Sequence, residues 1–155
     1  DEANYMKNGP HASACGSLMY AMVATWPDIA HAIGVVSRFM ANPGRAHWEA
    51  IKSILRYLKG TKGKCLCYGK GPLELKGFCD SDMAGDVDTC KFTSGYVYTL
   101  AGVAISWCSR LQRIVALSTT EAEYISATEA SKEAIWLARL FSEFRMLEKD
   151  TCSWM

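Results

Sequence analysis

The sequence predicts an α/β chain in which a small helical unit precedes a sheet domain with one long helix packed on it. Three observations carry that prediction. Up to Gly60, apolar residues recur at spacings of three and four. Beyond Gly60 the pattern breaks into short runs, partly β-branched or aromatic, with Gly or polar turns between them. From Thr119 to about Met146 the helical spacing returns, and this is the strongest element of the chain.

The elements follow in order. Asp1 to Pro10 is polar and reads as irregular. A first helix spans about Ala12 to Thr25, with Leu18, Met19, Met22 and Val23 on one side. Trp26-Pro27-Asp28 breaks it and starts a second, because proline is tolerated in a first turn and Asp28 complements the helix dipole. That second helix carries Ile29, Ile33, Val36, Phe39 and Met40 and ends at Asn42-Pro43-Gly44. The third runs from about His47 to Lys59 with Trp48, Ile51, Leu55 and Leu58 as its buried stripe, and Gly60 supplies the stop.

Strands are predicted at Cys65 to Tyr68, Leu75 to Cys79, Tyr96 to Leu100, Ala104 to Cys108 and Ile114 to Leu117. Ala101-Gly102 suggests a tight hairpin. The last helix carries Ala122, Ile125, Trp136, Leu140, Phe141 and Phe144, with a kink expected near Ser131. The boundary between the units falls in Lys59 to Gly63, giving segments 1–62 and 63–155.

Composition narrows the functional classes. The 155 residues are half hydrophobic and carry a formal net charge of +1, so total charge does not announce a nucleic-acid binder, and only a local basic patch could serve. Seven cysteines at irregular spacing, with no zinc-finger pairing and no clustered histidine, read as reduced, mostly core thiols of an intracellular protein. The apolar runs fall far short of a membrane span. A chain that opens on Asp1 without Met reads as a segment of something longer, or as a processed product.

Two acidic groups stand out. Asp80, Asp82, Asp86 and Asp88 follow directly on a predicted strand. A carboxylate at a buried strand end is costly unless paired or metal-bound, and converging carboxylates hold a divalent cation such as magnesium. A solvated acidic turn is the plainer meaning of the composition alone. Glu121 and Glu123 open the long helix, where Ser118 with Glu121 and Thr120 with Glu123 both fit a capping box. Ala127, Ala130 and Ala134 share the Glu123 face, which would let that face lie close to a sheet with Glu123 turned inward. Glu121 suits the cap better. Lys52, Arg56 and Lys59 share one face of the third helix and could contact phosphates, with Tyr57 beside them; a solvated face is the alternative.

Several strings resemble one family in order and spacing. Gly16-Ser17-Leu18-Met19-Tyr20, Trp26-Pro27-Asp28-Ile29-Ala30, His47-Trp48-Glu49-Ala50 and Ile54-Leu55-Arg56-Tyr57-Leu58-Lys59-Gly60-Thr61 are similar to the stretch after the reverse-transcriptase core of copia-type retrotransposon Pol polyproteins. Gly77-Phe78-Cys79-Asp80-Ser81-Asp82 resembles that family's first ribonuclease H motif. Ser94-Gly95-Tyr96, Ile105-Ser106-Trp107 and Leu117-Ser118-Thr119-Thr120-Glu121-Ala122-Glu123-Tyr124 follow in the family's order.

The resemblance implies a ribonuclease H-like fold, truncated at its C-terminal end, behind a helical segment from the reverse transcriptase region. It implies that Asp80 and Glu123 are catalytic and ligate magnesium. The implied partners are an RNA–DNA hybrid or other nucleic acid and the rest of the polyprotein, with no membrane. The implied location is intracellular, in a cytoplasmic virus-like particle or the nucleus. Met83 replaces the family's tryptophan, and Cys90 replaces a basic residue. The family continues after the long helix with a strand carrying a third catalytic aspartate, and later a fourth acidic residue. Leu147 to Met155 does not resemble that strand, and Asp150 comes too early. An unpaired edge beside the Asp80 strand, weak magnesium binding and no appreciable cleavage by the chain alone are therefore expected. The alternatives are a non-catalytic nucleic-acid-binding remnant or a decayed transposon product without present function.

Overall fold

The computed structural model describes residues 10–69, 71–82, 90–144 and 152–154. Met83, Asp86, Asp88 and Asp150 lie outside the described residues. The chain divides into two compact units, residues 1–65 and 66–155.

The first unit holds helices α1 (His11–Ala24), α2 (Ala30–Ser37) and α3 (Arg45–Thr61), with a 3-10 turn at Pro27–Ile29 before α2. Pro27 stands in the first turn, where its missing N–H costs nothing. The second predicted helix ends early. Phe39 and Met40 donate to the carbonyls of Val36 and Ser37, three residues back, so the chain tightens after Ser37. At the start of α3 the Gly44 amide donates to His47 Nδ1 at 2.8 Å, which satisfies a donor the helix leaves free.

The core of this unit is Cys15, Leu18, Ile29, Ile33, Val36, Ile51 and Ile54, flanked by Met22, Trp26, Trp48 and Leu58. The buried line of α1 passes through His11, Cys15 and Leu18, so Met19 and Val23, expected on the apolar side, are exposed. In α3 the buried pair is Ile51 and Ile54, and Leu55, expected in the stripe, is exposed. Each helix here buries a narrower face than its apolar content suggests, because three short helices cover one side of each other only. The Tyr57 hydroxyl donates to the Asp28 carboxylate and ties α3 to the 3-10 turn.

The second unit is a mixed α/β arrangement. Strands β1 (Leu75–Asp82), β2 (Thr93–Leu100) and β3 (Val103–Leu111) form an antiparallel meander, and helix α4 (Thr119–Glu143) packs on β1 and β2. The β2–β3 turn is Ala101-Gly102, both at positive φ (52° and 78°), as a two-residue hairpin of matching twist requires. In the β1–β2 register Leu75 faces Leu100, Asp80 faces Gly95 and Asp82 faces Thr93.

A fourth strand, β4 (Cys152–Trp154), pairs in parallel with Leu75 to Gly77, giving the order β3-β2-β1-β4. This corrects the expectation of a bare edge there: three residues near the chain end supply backbone partners to the start of β1. Two other expected strands are not formed. Cys65 to Tyr68 lies outside the sheet, with the Tyr68 hydroxyl on the Ala104 carbonyl at 3.0 Å. Ile114 to Leu117 is the mostly exposed lead into α4, with the Leu117 amide donating to Glu121 Oε2 at 2.6 Å. Its β-branched composition is overridden by this capping geometry.

Leu75, Tyr98, Ala130, Ala134 and Leu137 form the main core of this unit, and Phe92, Ala116 and Ala122 a smaller one at the start of α4. Trp136 and Phe144, expected in the buried stripe, are exposed. The helix rests instead on a line of small residues, Ala122, Ser126, Ala130 and Ala134, ending in Leu137. It runs unbroken past Ser131, whose hydroxyl folds back onto the Ala127 carbonyl at 2.7 Å. Cys15 is fully buried and Cys108 half-buried, whereas Cys65, Cys67, Cys79 and Cys90 are exposed rather than packed in a core.

Candidate functional site

Asp80 sits near the C-terminal end of β1, and Glu123 stands in the second turn of α4. Both residues are exposed. The small-residue line that seats α4 is offset from Glu123 by one position. Ala122 and Ser126 are buried, while Ala127, expected to share the packed face with Glu123, is half-buried. Glu123 therefore stands at the rim of the helix–sheet contact.

Three observations bring the two acids to one end of the sheet. Ser126, one turn beyond Glu123, donates from Oγ to the main-chain oxygen of Asp80 at 2.6 Å. The same hydroxyl lies 3.4 Å from the carbonyl of Gly95, the residue facing Asp80 across the ladder. The Cys79 thiol is held above its ordinary pKa by partial loss of water, then by the negative charges of Glu123 and Asp80. The Asp80 carboxylate accepts the Ser81 amide through Oδ1 at 2.8 Å. Asp82 is exposed at the last position of β1.

The start of α4 is fixed from the other side as well. Ser118 is the N-cap and accepts the Glu121 amide at 3.1 Å, so the Ser118–Glu121 pairing forms and Glu121 is a capping residue. Gln112 is buried and donates from Nε2 to Ser94 Oγ at 2.8 Å and to the Ala122 carbonyl at 3.0 Å. Farther along, Ser106 donates to Glu133 at 2.6 Å, and Arg110 pairs with Glu129 at 2.6 Å. Ser126 and Gln112 were not singled out from sequence. The available signal was a serine in step with Ala122, Ala130 and Ala134 in an otherwise alanine-lined face.

Two exposed carboxylates offer hard oxygen donors, which fits a magnesium ion that keeps several waters. Among the described residues, no group of three or more His, Cys, Asp or Glu side chains converges on one metal position.

The basic face of α3 is unevenly available. Lys52 is paired with Glu49 at 2.6 Å and lies 5.9 Å from the centre of the Trp48 ring. That hydrogen bond holds the Glu49 carboxyl below its ordinary range. Arg56 is exposed and contacts Ser53 Oγ at 3.0 Å, and Lys59 is exposed in the last turn. No described helix is long and apolar enough to cross a membrane.

With the fold and these residues in view, known proteins locate the chain. The retrovirus-related Pol polyprotein from transposon TNT 1-94 of Nicotiana tabacum is 60% identical over 150 residues, which is 97% of this chain and 11% of that polyprotein. The Pol polyprotein from transposon RE1 of Arabidopsis thaliana is 43% identical over 129 residues, 83% of this chain and 9% of that protein. Secreted RxLR effector protein 161 of Plasmopara viticola is 49% identical over 133 residues, 85% of this chain and 94% of that protein. Along most of its length the chain is thus similar to a segment of retrotransposon Pol polyproteins of two plants. It spans 11% and 9% of the two polyproteins, and nearly all of the Plasmopara viticola relative. No protein-family model and no solved structure matches it.

Proposed function

We propose that residues 63–155 are part of a ribonuclease H-like domain, that residues 1–62 come from the end of the reverse transcriptase region, and that the parent activity is metal-dependent cleavage of RNA in RNA–DNA hybrids. Asp80 and Glu123 are its carboxylates on this chain. The observation that carries the reading is the 2.6 Å bond from Ser126 to the Asp80 carbonyl, which docks the helix bearing Glu123 on the strand bearing Asp80. A parallel strand beside β1, after an antiparallel meander and a long helix, supports it.

Asp80 and Glu123 would hold magnesium, which would supply activation of a water and stabilisation of charge on the departing oxygen. The chain's own residues supply oxygen donors: the exposed Asp80 carboxylate, steadied by the Ser81 amide, and the Glu123 carboxylate at the rim of α4. The family resemblance implies that a further acid, on a strand beside β1, would complete the ligand set. With two carboxylates, the 155-residue chain by itself holds magnesium weakly and cuts no appreciable RNA.

The test replaces the matching stretch of the tobacco polyprotein with this chain and assays magnesium-dependent cutting of an RNA–DNA hybrid, alongside the isolated chain. Cutting by the chimera, lost with Asp80→Asn or Glu123→Gln, is the expected result. A chimera indifferent to both substitutions refutes the site. Robust cutting by the isolated chain refutes its inactivity.

A further inference from the structure

Ser126 is 1% exposed and is the polar member of the buried face of α4. A serine or threonine inside a helix commonly returns its hydroxyl to a carbonyl of its own preceding turn. Thr128 and Ser131 do so in this helix, to Tyr124 and Ala127 at 2.7 Å each. Ser126 does not. Its hydroxyl leaves the helix and reaches the sheet, to the main-chain oxygen of Asp80 and the neighbourhood of the Gly95 carbonyl. Its neighbours on the face, Ala122 and Ala130, are too small to interlock with the strands and set a register between helix and sheet.

We infer that Ser126 is a positioning residue for the Asp80–Glu123 pair: its bond to the Asp80 carbonyl fixes where the first turns of α4 stand along β1, and so fixes the separation of the two carboxylates. The inference rests on the metal-site reading above. Ser126 and Glu123 are three residues apart on one rigid helix, so a bond that anchors Ser126 to Asp80 leaves Glu123 little freedom relative to the strand end. Gln112, just past the end of β3, anchors the adjoining Ala122 carbonyl but touches neither acid-bearing residue. Ser126 hydrogen-bonds directly from the helix that bears Glu123 to the strand that bears Asp80.

The test titrates the 155-residue chain with Mn2+, following free ion by electron paramagnetic resonance, and records each variant's thermal midpoint. Asp80→Asn removes the site and identifies it. Ser126→Ala weakens Mn2+ binding by about tenfold or more, the size typical of groups that orient metal ligands. Ser126→Cys keeps the volume with a poorer donor and weakens binding in the same direction if the alanine variant folds badly. Ser106→Ala, which breaks the helix–sheet bond to Glu133, lowers stability without changing Mn2+ affinity. Wild-type affinity in the folded Ser126 variants, with Asp80→Asn still silent, overturns the inference and leaves the metal site standing. A wild-type chain with no Asp80-dependent Mn2+ binding overturns both.

Discussion

A methyl group at Gly77 would stand 2.5 Å from Cε1 of Tyr98, because the tyrosine ring fills the space over the β1 backbone at that point. Gly77 and Tyr98 face each other in the β1–β2 ladder, and the Tyr98 hydroxyl crosses to α4, donating to the Ala130 carbonyl at 2.7 Å. One side chain thus spans strand, strand and helix. Gly77→Ala forces this fully buried ring aside, at a cost of about 1–3 kcal/mol. Urea denaturation measures it, and a midpoint equal to wild type would show that the ring moves freely.

Tyr98→Phe keeps the ring and removes the bond to Ala130, leaving a helix carbonyl short of a donor and costing about 1 kcal/mol. The hydroxyl also sets a pH dependence. Burial, ahead of neighbouring negative groups, pushes Tyr98 and Tyr96 up to about 12, against about 10 in an unfolded chain. The folded state keeps both phenols neutral while the unfolded state ionises first. Their stabilisation is therefore present below pH 10 and is lost as pH rises from about 10 towards about 12. Thermal midpoints taken across that window should fall, and should fall less steeply in Tyr98→Phe. An identical slope in the variant contradicts the assignment.

The basic face of α3 makes a graded prediction. Arg56 and Lys59 are exposed, whereas Lys52 is committed to Glu49. Charge reversal at Arg56 and Lys59 should weaken hybrid binding and flatten its salt dependence, by about 0.9 in log–log slope for each phosphate that is no longer neutralised. Lys52→Gln should do less. Fluorescence anisotropy at several salt concentrations decides the matter; an equal weakening from Lys52→Gln alone would mean that the ion pair opens on binding.

Much of the fold is legible in the sequence where periodicity and punctuation agree. Pro27 and Ser118 mark helix starts, Ala101-Gly102 marks the hairpin, and the short, partly aromatic runs around Leu75 and Tyr98 mark two strands. The misses have physical causes. Ile114 to Leu117 has strand composition but is held by the Glu121 cap, a contact between side chain and backbone that propensity does not register. Val23, Leu55 and Trp136 are apolar yet exposed, because burial depends on which side a neighbour covers. Cys152 to Trp154 pairs with Leu75 to Gly77 through the backbone, which a three-residue run without alternation does not advertise. At the candidate site, Asp80 and Glu123 are conspicuous as acids at element ends. Ser126 is not, because its importance lies in a bond to a residue 46 positions away.

One cation shared by the Asp80 and Glu123 carboxylates is the centre of the proposed site, and paramagnetic line broadening by Mn2+ in the isotope-labelled chain tests it most directly. At low Mn2+ the amides of Ser81, Gly95 and Glu123 should broaden together, and either Asp80→Asn or Glu123→Gln should remove the broadening at all three. Broadening near Asp80 that survives Glu123→Gln, or near Glu123 that survives Asp80→Asn, would mean two independent surface carboxylates and no shared site.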